Sequence, residues 1–323
     1  MSDFNYLLLL PAGIAVLLFI LLAFILARRV RGEGLEAPDP RPRRHVPPPV
    51  APVAIAPVPP PQAERPPYGA WRLIERILAN PDSAGGPLYR LCFTPEGEIP
   101  VWRPGAVAHV YCGPAADVLA PGGTAHAPAG EYMIGSLPTE GLLDLVVRLA
   151  VGHGVGEQHR SRWLCQGIEV GQQVAIALRD DPAFLPPPDE VPLILIGNAI
   201  GIAGLVAHIK ARPQGTRNWL IFGDRNSADD RMFAAEVTDW VSSGHLERCD
   251  LVFPREGEAQ RLVVDQINDS QAPLLDWALA GAAIYVCGSE RMGNDVHAAF
   301  SRLLGPEALT AMAEAGLYRR SIY

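Results

Sequence analysis

One segment, Val191–Asn226, constrains the fold more than any other part of the chain. An apolar run at Leu193–Ile196 is followed by a turn with two glycines, Gly197–Gly201, and then by a helical pattern over Ile202–Ala211. A second apolar run follows at Trp219–Phe222. This order predicts a parallel strand–helix–strand unit, because parallel strands need a crossover connection. Glycine at such a turn lets backbone N–H groups approach a phosphate where the helix begins.

The same alternation continues to the end of the chain. Further strands are predicted at Asp250–Phe253 and Ala283–Val286, and further helices at Asp230–Ser242 and Met292–Leu303. Alternating strands and helices predict a doubly wound parallel sheet, because crossover connections are right-handed and place helices on both faces. The ligand crevice of such a sheet lies beyond the carboxyl ends of its strands.

The preceding part of the folded region has a different pattern. From about Pro87 to Arg179, short apolar runs are separated by Gly and Pro; they are Leu88–Phe93, Ala106–Tyr111, Leu142–Arg148 and Gln173–Leu178. Short strands with frequent turns predict an antiparallel barrel or sandwich. A proline-rich connector, Phe184–Asp189, then leads into the α/β region.

The N-terminus carries an apolar segment, Tyr6–Ala27, without a charged residue. At 1.5 Å per residue it is long enough to cross a hydrocarbon core of roughly 30 Å. Arg28, Arg29 and Arg31 follow, and the positive-inside rule keeps such a flank in the cytoplasm. We therefore expect a single-pass anchor in the inner (cytoplasmic) membrane, with the N-terminus outside. A cleaved signal peptide is the alternative, although the basic lead-in and the cleavage site of one are missing.

A proline-rich stretch, Ala37–Pro67, separates the anchor from the folded part. Proline resists helix and cannot donate to a sheet, so an extended spacer is expected, with a ligand for proline-binding modules as the alternative. The predicted organisation is an anchor at 1–28, a linker at 29–68, a barrel domain at 69–189 and an α/β domain at 190–323.

Composition narrows the class of function. The formal net charge is −8, which argues against nucleic acid as a partner. The five cysteines show no CxxC spacing and the eight histidines are dispersed, so no metal site is predicted.

Several further motifs follow one another in a fixed order along the barrel and α/β regions. They are Gly130-Glu-Tyr132-Met133-Ile-Gly-Ser136, Gln158-His-Arg-Ser161-Arg-Trp163-Leu, Gly197-Asn-Ala-Ile200-Gly201, Phe222-Gly-Asp-Arg225-Asn226 with Asp230, the pair Arg255 and Arg261, Cys287-Gly288-Ser289, and the final Ser-Ile-Tyr323. Together with a barrel before an α/β lobe, these motifs resemble the ferredoxin–NADP+ reductase superfamily over roughly Trp71–Tyr323. The closest branch looks like the sulfite reductase flavoprotein alpha-component and other diflavin reductases, without their FMN domain.

The resemblance implies FAD on the barrel. Tyr132 would pack on the isoalloxazine, Met133 and Ser136 would lie beside it, and Ser161 with Trp163 would serve the pyrophosphate. The family has arginine where this chain has Gly130, and glycine where it has Gln158. Arg160 or Arg162 is expected to supply the missing charge.

The resemblance also implies NADPH on the α/β lobe. Gly197, Ile200 and Gly201 would meet its pyrophosphate, although the family has Gly-Thr where this chain has Ala199-Ile200. The adenosine end would be held by five residues: Arg225, Asn226, Asp230, Arg255 and Arg261. Gly288 and Ser289 would flank the nicotinamide, Cys287 would lie at the hydride-transfer position, and Tyr323 would cover the flavin.

Two functions are compatible with these motifs. The first is a membrane-anchored reductase that passes electrons from NADPH through FAD to a separate acceptor, such as a flavodoxin, a heme protein, a sulfite reductase partner or a ferric complex. The alternative is a reductase fold that has lost a cofactor and acts as a membrane-tethered scaffold or sensor, because three motifs depart from the family pattern.

Overall fold

The computed structural model describes residues 68–81, 86–150, 160–225, 232–253 and 261–323. All of them belong to one compact unit, Pro66–Tyr323. The predicted anchor and nearly all of the linker lie outside the described residues. Within the described ranges, no helix has the length and apolar character that a membrane crossing requires.

The first sheet is built from six antiparallel strands. They are β1 (Gly69–Leu78), β2 (Leu88–Pro95), β3 (Val107–Tyr111), β4 (Ala129–Met133), β5 (Leu143–Arg148) and β6 (Gln173–Arg179). Their spatial order is β4-β3-β6-β1-β2-β5. A bridge between Ile134 and Leu145 joins the end of β4 to β5, and the amide of Gly135 donates to the carbonyl of Asp144 at 2.8 Å. The two edge strands therefore meet, and the sheet closes into a barrel as the sequence predicts.

The barrel core follows from alternation along its strands. Trp71 and Leu73 on β1 point inward, as do Leu91 and Phe93 on β2, and all four are buried. Alternate residues face the same side of a strand, so each strand contributes one apolar row to the interior. A short helix, α1 (Ala116–Leu119), lies between β3 and β4.

The second sheet has five parallel strands. They are β7 (Leu193–Asn198), β8 (Asn218–Gly223), β9 (Arg248–Val252), β10 (Ala283–Gly288) and β11 (Tyr318–Ile322). Their spatial order is β11-β10-β7-β8-β9. Runs such as Leu193–Ile196 are apolar throughout because both faces of this sheet are covered by helices.

In the described part of the chain, six helices cover the two faces of the parallel sheet. They are α2 (Ile202–Ala211), α3 (Ala234–Ser242), α4 (Val263–Asp269), α5 (Gln271–Leu279), α6 (Glu290–Leu304) and α7 (Pro306–Glu314). Helices α2 and α3 pack on the face that also meets β2 and β5 of the barrel, and α4 to α7 pack on the opposite face. The predicted doubly wound sheet is confirmed.

Several predicted boundaries differ from the observed ones by one or more residues, and two of these differences have a clear physical reason. The helix expected at Asp230–Ser242 begins at Ala234, because Phe233 has a left-handed backbone with φ 58° and cannot continue a helix. The strand expected at Asp250–Phe253 is Arg248–Val252, because Arg248 enters the sheet as the register partner of Trp219.

Candidate active site

The parallel sheet reverses its strand order between β7 and β10. The chain leaves β7 toward β8 on one side, whereas β10 is followed by β11 on the other side. A crevice opens beyond the carboxyl ends of strands at such a switch point. A cavity of about 1310 Å³ lies there, and residues of both the barrel and the parallel sheet line it. This volume is large enough for a dinucleotide-sized ligand.

Seven of the predicted site residues line this one cavity. They are Tyr132, Met133, Ser161, Ile200, Arg225, Ser289 and Tyr323. Three others, Asn226, Asp230 and Arg255, lie outside the described residues. The remainder, described below, do not line the cavity: Ser136, Trp163, Gly197, Gly201, Arg261, Cys287 and Gly288.

The glycines of the turn after β7 serve close packing. A Cβ at Gly201 would overlap the carbonyl oxygen of Cys287. A Cβ at Gly197 would lie 2.6 Å from the same oxygen and 2.7 Å from Leu205 Cδ1. Only glycine lets the start of α2 and strand β7 approach the end of β10 this closely.

Two of the three residues between these glycines, Ala199 and Ile200, differ in their roles. Ala199 has φ 51°, a left-handed conformation that costs a residue with a Cβ roughly 1–2 kcal/mol. The turn therefore keeps a glycine-like backbone at the position where the family has its middle glycine. The next residue, Ile200, lines the cavity and has no hydroxyl to offer a phosphate.

A pair of hydrogen bonds locks the two strand ends together at the switch point. The Asn198 Oδ1 accepts from the amide of Ser289 at 2.9 Å, and the Asn198 Nδ2 donates to the Ser289 Oγ at 3.0 Å. Gly288 has φ 148°, and a Cβ there would overlap the Asn198 Oδ1. Sequence reasoning missed Asn198, because its partner lies far along the chain.

On the barrel wall, Tyr132 covers the position where the family has an arginine. A Cβ at Gly130 would lie 2.6 Å from Tyr132 Cε2 and 2.7 Å from its hydroxyl oxygen. The two residues lie on the same face of β4, two positions apart, so the ring folds back over the glycine.

The guanidinium of Arg160 approaches the same part of the wall. Burial raises the pKa of the Cys112 thiol to about 11, and the Gly130 backbone and the charge of Arg160 both act to lower it. Both groups therefore lie near one thiol. Arg160 lines the cavity whereas Arg162 does not, which favours the first of the two predicted replacements.

Two of the predicted barrel residues have structural partners instead of the cavity. Ser136 is fully buried, and its Oγ accepts from the amide of Asp144 at 3.0 Å. Trp163 packs against the barrel core. Ser161, by contrast, both accepts from the amide of Ala150 at 3.0 Å and lines the cavity.

Cys287 lies one layer behind the cavity wall. It is fully buried, and this burial raises the pKa of its thiol to about 12, although a hydrogen bond with Ser321 opposes the shift. The Ser321 Oγ donates to Met133 Sδ at 3.6 Å, and Ser321 and Met133 both line the cavity. Cys287 is therefore a neutral thiol at neutral pH, and its predicted place at the hydride-transfer position stays a prediction.

Tyr323 directly follows β11 and lines the cavity. The residue as a whole is 51% exposed, whereas burial around its hydroxyl raises the pKa of the phenol well above its ordinary value. The Gly201 backbone and Arg148 act in the opposite direction. Tyr323 therefore lies at the cavity wall, with its hydroxyl near the Gly201 backbone.

The arginines of the cavity fall into two groups. Arg148 is 4.0 Å from Asp224, Arg179 is 3.8 Å from Glu131, and the Arg320 Nη2 donates to Asn294 at 2.9 Å. By contrast, the guanidiniums of Arg160, Arg225 and Arg291 make no ion pair or side-chain hydrogen bond with any residue that the structure describes.

Arg261 lies outside the cavity. Its Nη2 donates to Gln266 at 3.0 Å and to Asp269 at 2.6 Å, and all three side chains are on the surface. The predicted contact with the adenosine phosphate would require Arg261 to leave these partners.

Comparisons with known proteins agree with this geometry. The chain is 34% identical over 214 residues to the sulfite reductase (NADPH) flavoprotein alpha-component of Vibrio vulnificus, which is 59% of this chain and 34% of that protein. It is 30% identical over 193 residues to the Yersinia pestis protein of the same name, which is 55% of this chain and 32% of that protein. The chain therefore spans about a third of the length of these relatives. No family model matches the chain.

The solved structures support the same fold. Ferredoxin–NADP+ reductase from Plasmodium falciparum superposes with a TM-score of 0.61 at 14% identity, over 79% of this chain and 96% of that one. A mutant of that enzyme in complex with 2′P-AMP gives a TM-score of 0.64 at 12% identity. The chain has the ferredoxin–NADP+ reductase fold and is similar in sequence to sulfite reductase flavoproteins, which confirms the resemblance inferred from its motifs.

Proposed function

We propose that the chain is an NADPH-dependent reductase that uses FAD to pass electrons to a separate acceptor. One observation carries this proposal: a single cavity at the switch point is lined both by barrel residues with a predicted flavin role, such as Tyr132 and Ser161, and by residues of the α/β lobe with a predicted NADPH role, such as Ile200 and Ser289. FAD and NADPH must lie side by side for hydride transfer, and a shared cavity between two lobes provides that arrangement.

The barrel wall fits FAD. Tyr132 offers an aromatic face for the isoalloxazine, and such stacking contributes about 1 kcal/mol beyond burial. Ser161 holds a hydroxyl at the wall. The guanidinium of Arg160 has no side-chain partner among the described residues and is suitable for binding the pyrophosphate, because charge-assisted bonds to phosphate are among the strongest that side chains make.

The α/β wall fits a phosphorylated dinucleotide. The left-handed backbone at Ala199 preserves the shape of the phosphate turn. Arg225 follows the end of β8 and lines the cavity, and its guanidinium has no partner in the part of the chain that the structure describes. A planar guanidinium suits an adenosine 2′-phosphate, which favours NADPH over NADH.

The residues of the chain mainly orient the two cofactors and exclude water from the space between them. FAD, when bound, accepts a hydride and releases electrons singly, which is the chemistry that a cofactor supplies. Tyr132 and Tyr323 would hold the flavin ring from its two faces, and Tyr323 would move aside to admit the nicotinamide. Cys287, with its pKa near 12, keeps its proton and acts through packing against Ser321 and Met133.

The membrane and acceptor assignments belong to the same proposal. The apolar segment Tyr6–Ala27 and the arginines after it support a single-pass anchor in the inner membrane, with the catalytic part in the cytoplasm. A flavodoxin, a heme protein, a sulfite reductase hemoprotein or a ferric complex would be a suitable acceptor. A fusion of alkaline phosphatase after Pro67 tests the orientation; strong phosphatase activity would contradict a cytoplasmic C-terminus.

The test of the FAD site compares two neighbouring arginines. Arg160→Ala should raise the dissociation constant of FAD about 10–100-fold, the effect of losing a hydrogen bond to a charged group. Arg162→Ala is the matched control, because Arg162 does not line the cavity, and its FAD affinity should match the unmodified chain. Equal affinities for all three proteins would contradict the role of Arg160. Failure of the unmodified chain to bind FAD would support the scaffold alternative.

A further inference from the structure

The phosphate turn on the α/β wall has no hydroxyl at position 200, where the family has its threonine. Ile200 faces the cavity with an apolar side chain, and Gly201 is pressed against the carbonyl of Cys287. A dinucleotide diphosphate carries two negative charges beside this turn. The turn offers backbone N–H groups and the Asn198 amide, which already donates to Ser289, so a cation from another element would strengthen binding of both charges.

The start of α6 brings such a cation to the opposite side of the switch point. Arg291 is the second residue of α6 and lines the cavity. Its guanidinium has no ion-pair or hydrogen-bond partner among the described residues. Arg291 is exposed to solvent, so its guanidinium is available to an anionic ligand that enters the cavity.

The geometry of the strand ends keeps Arg291 near the turn. Ser289, two residues earlier, is fixed to Asn198 by two hydrogen bonds. Asn198 immediately precedes the Ala199–Ile200 pair. The backbone that carries Arg291 is therefore fixed to the backbone that carries the phosphate turn.

The charges around Arg291 permit an anion. Arg320 lies on the same wall, although its Nη2 is engaged by Asn294. Asp295 is the acidic residue of α6 that faces the cavity, one helical turn away, and it forms no ion pair with a described residue. Two guanidiniums against one carboxylate leave this wall with a net positive charge.

We propose that Arg291 binds the diphosphate of NADPH and replaces the donor that Ile200 does not provide. This inference rests on the proposed function, and it assigns the diphosphate to a different element from the one expected from the turn motif. Arg225 then serves the adenosine 2′-phosphate, and Arg160 serves the pyrophosphate of FAD, so each of the three cavity arginines without a partner among the described residues has one phosphate group.

The experiment compares two ligands that differ in the diphosphate. The full-length chain in detergent is titrated with NADP+, which contains the diphosphate, and with adenosine 2′-monophosphate, which does not. Arg291→Ala should weaken NADP+ binding about 10–100-fold and change adenosine 2′-monophosphate binding less than about 2-fold. Arg291→Lys should recover part of the NADP+ affinity, because lysine keeps the charge without the planar fork.

A second arginine of the same helix is the control. Arg302 lies in the last turn of α6, is exposed and does not line the cavity, so Arg302→Ala should bind both ligands as the unmodified chain does. Unchanged NADP+ affinity in Arg291→Ala would overturn the inference, and so would an equal loss for both ligands. If the unmodified chain binds neither ligand, the proposed function itself fails.

Discussion

The two walls of the cavity depart from the family pattern in different ways. On the barrel wall, the family's arginine is Gly130, and a different guanidinium, Arg160, approaches the vacated region. On the α/β wall, the family's Gly-Thr pair is Ala199-Ile200, and the backbone keeps its shape at the cost of a left-handed alanine. The barrel wall replaces a missing positive charge, whereas the α/β wall preserves the backbone conformation of its turn.

This difference shows which property each wall needs. A charge can come from any element that reaches the phosphate, so its position in the sequence is free to change. A close approach between a turn and a neighbouring strand depends on the absence of a Cβ, so Gly197 and Gly201 have no substitute. Glycines are therefore the strongest constraint on the α/β wall.

The largest expected effect is that of a single methyl group at Gly201. Gly201→Ala would place a Cβ against the Cys287 carbonyl oxygen, and we expect the free energy of unfolding to fall by about 3 kcal/mol. Gly97→Ala is the control, because a Cβ there meets no atom within 4 Å. Urea titrations of both variants make the measurement, and equal stabilities would show that packing does not constrain this turn.

The joint between the two regions should respond to pH through His208. This histidine is buried between Phe184 of the connector and Tyr285 of β10, at centroid distances of 5.1 Å to both rings. Neither ring nitrogen has a hydrogen-bond partner among the described residues. Burial lowers its pKa from 6.5 to about 3. The Phe184 carbonyl favours the protonated ring, although its geometry falls short of a hydrogen bond.

The sign of the effect follows from proton binding. Below pH 6.5 the unfolded chain binds a proton at His208, whereas the folded chain does not until about pH 3. The free energy of unfolding therefore falls as the pH is lowered from 6.5 to about 3. The slope should be about 1.4 kcal/mol per pH unit. His208→Leu should remove this contribution. The free energy of unfolding, measured from pH 7 to pH 4, would contradict the account if both proteins had the same slope.

Restoring the family's arginine should weaken the barrel wall. In Gly130→Arg, the new Cβ would lie 2.6 Å from the Tyr132 ring, so we expect the dissociation constant of FAD to rise about 10-fold from displacement of that ring. Gly130→Ala has the same steric effect without the charge. Tighter FAD binding by the arginine variant alone would contradict this expectation. It would show that Tyr132 moves freely and that the added charge determines the affinity for FAD.

The smallest effect concerns the conformation that the α/β wall preserves. Ala199→Gly should raise the free energy of unfolding by about 0.5 kcal/mol, because relief of the left-handed strain exceeds the added chain entropy. Ala203→Gly, inside α2, should lower it by about 1 kcal/mol. Thermal unfolding compares the two, and destabilisation by both would mean that Ala199 is not strained.

The sequence predicts the elements that are buried on both faces. Strands β7, β8 and β10 are continuous apolar runs, and α2 was predicted with the observed bounds, Ile202–Ala211. Strand β1 was not predicted, because its sequence mixes charged and apolar residues around a register shift between Leu73 and Glu75. Strand β11 was not predicted either, because Arg319 and Arg320 interrupt its apolar pattern.

The site was predictable where a motif lies on one element. Tyr132, Ile200 and Ser289 line the cavity, and their roles toward FAD and NADPH stay predictions. The sequence could not decide between Arg160 and Arg162, because that choice depends on which side chain faces a strand far away in sequence. The pairing of Asn198 with Ser289 is missed for the same reason.

The visible absorption spectrum of the full-length chain tests the central claim most directly. The chain is purified in detergent, incubated with FAD, freed of excess cofactor and mixed with NADPH without oxygen. The account predicts flavin bands that bleach when NADPH is added, because both cofactors share one cavity. A folded, colourless protein that does not take up FAD would contradict it.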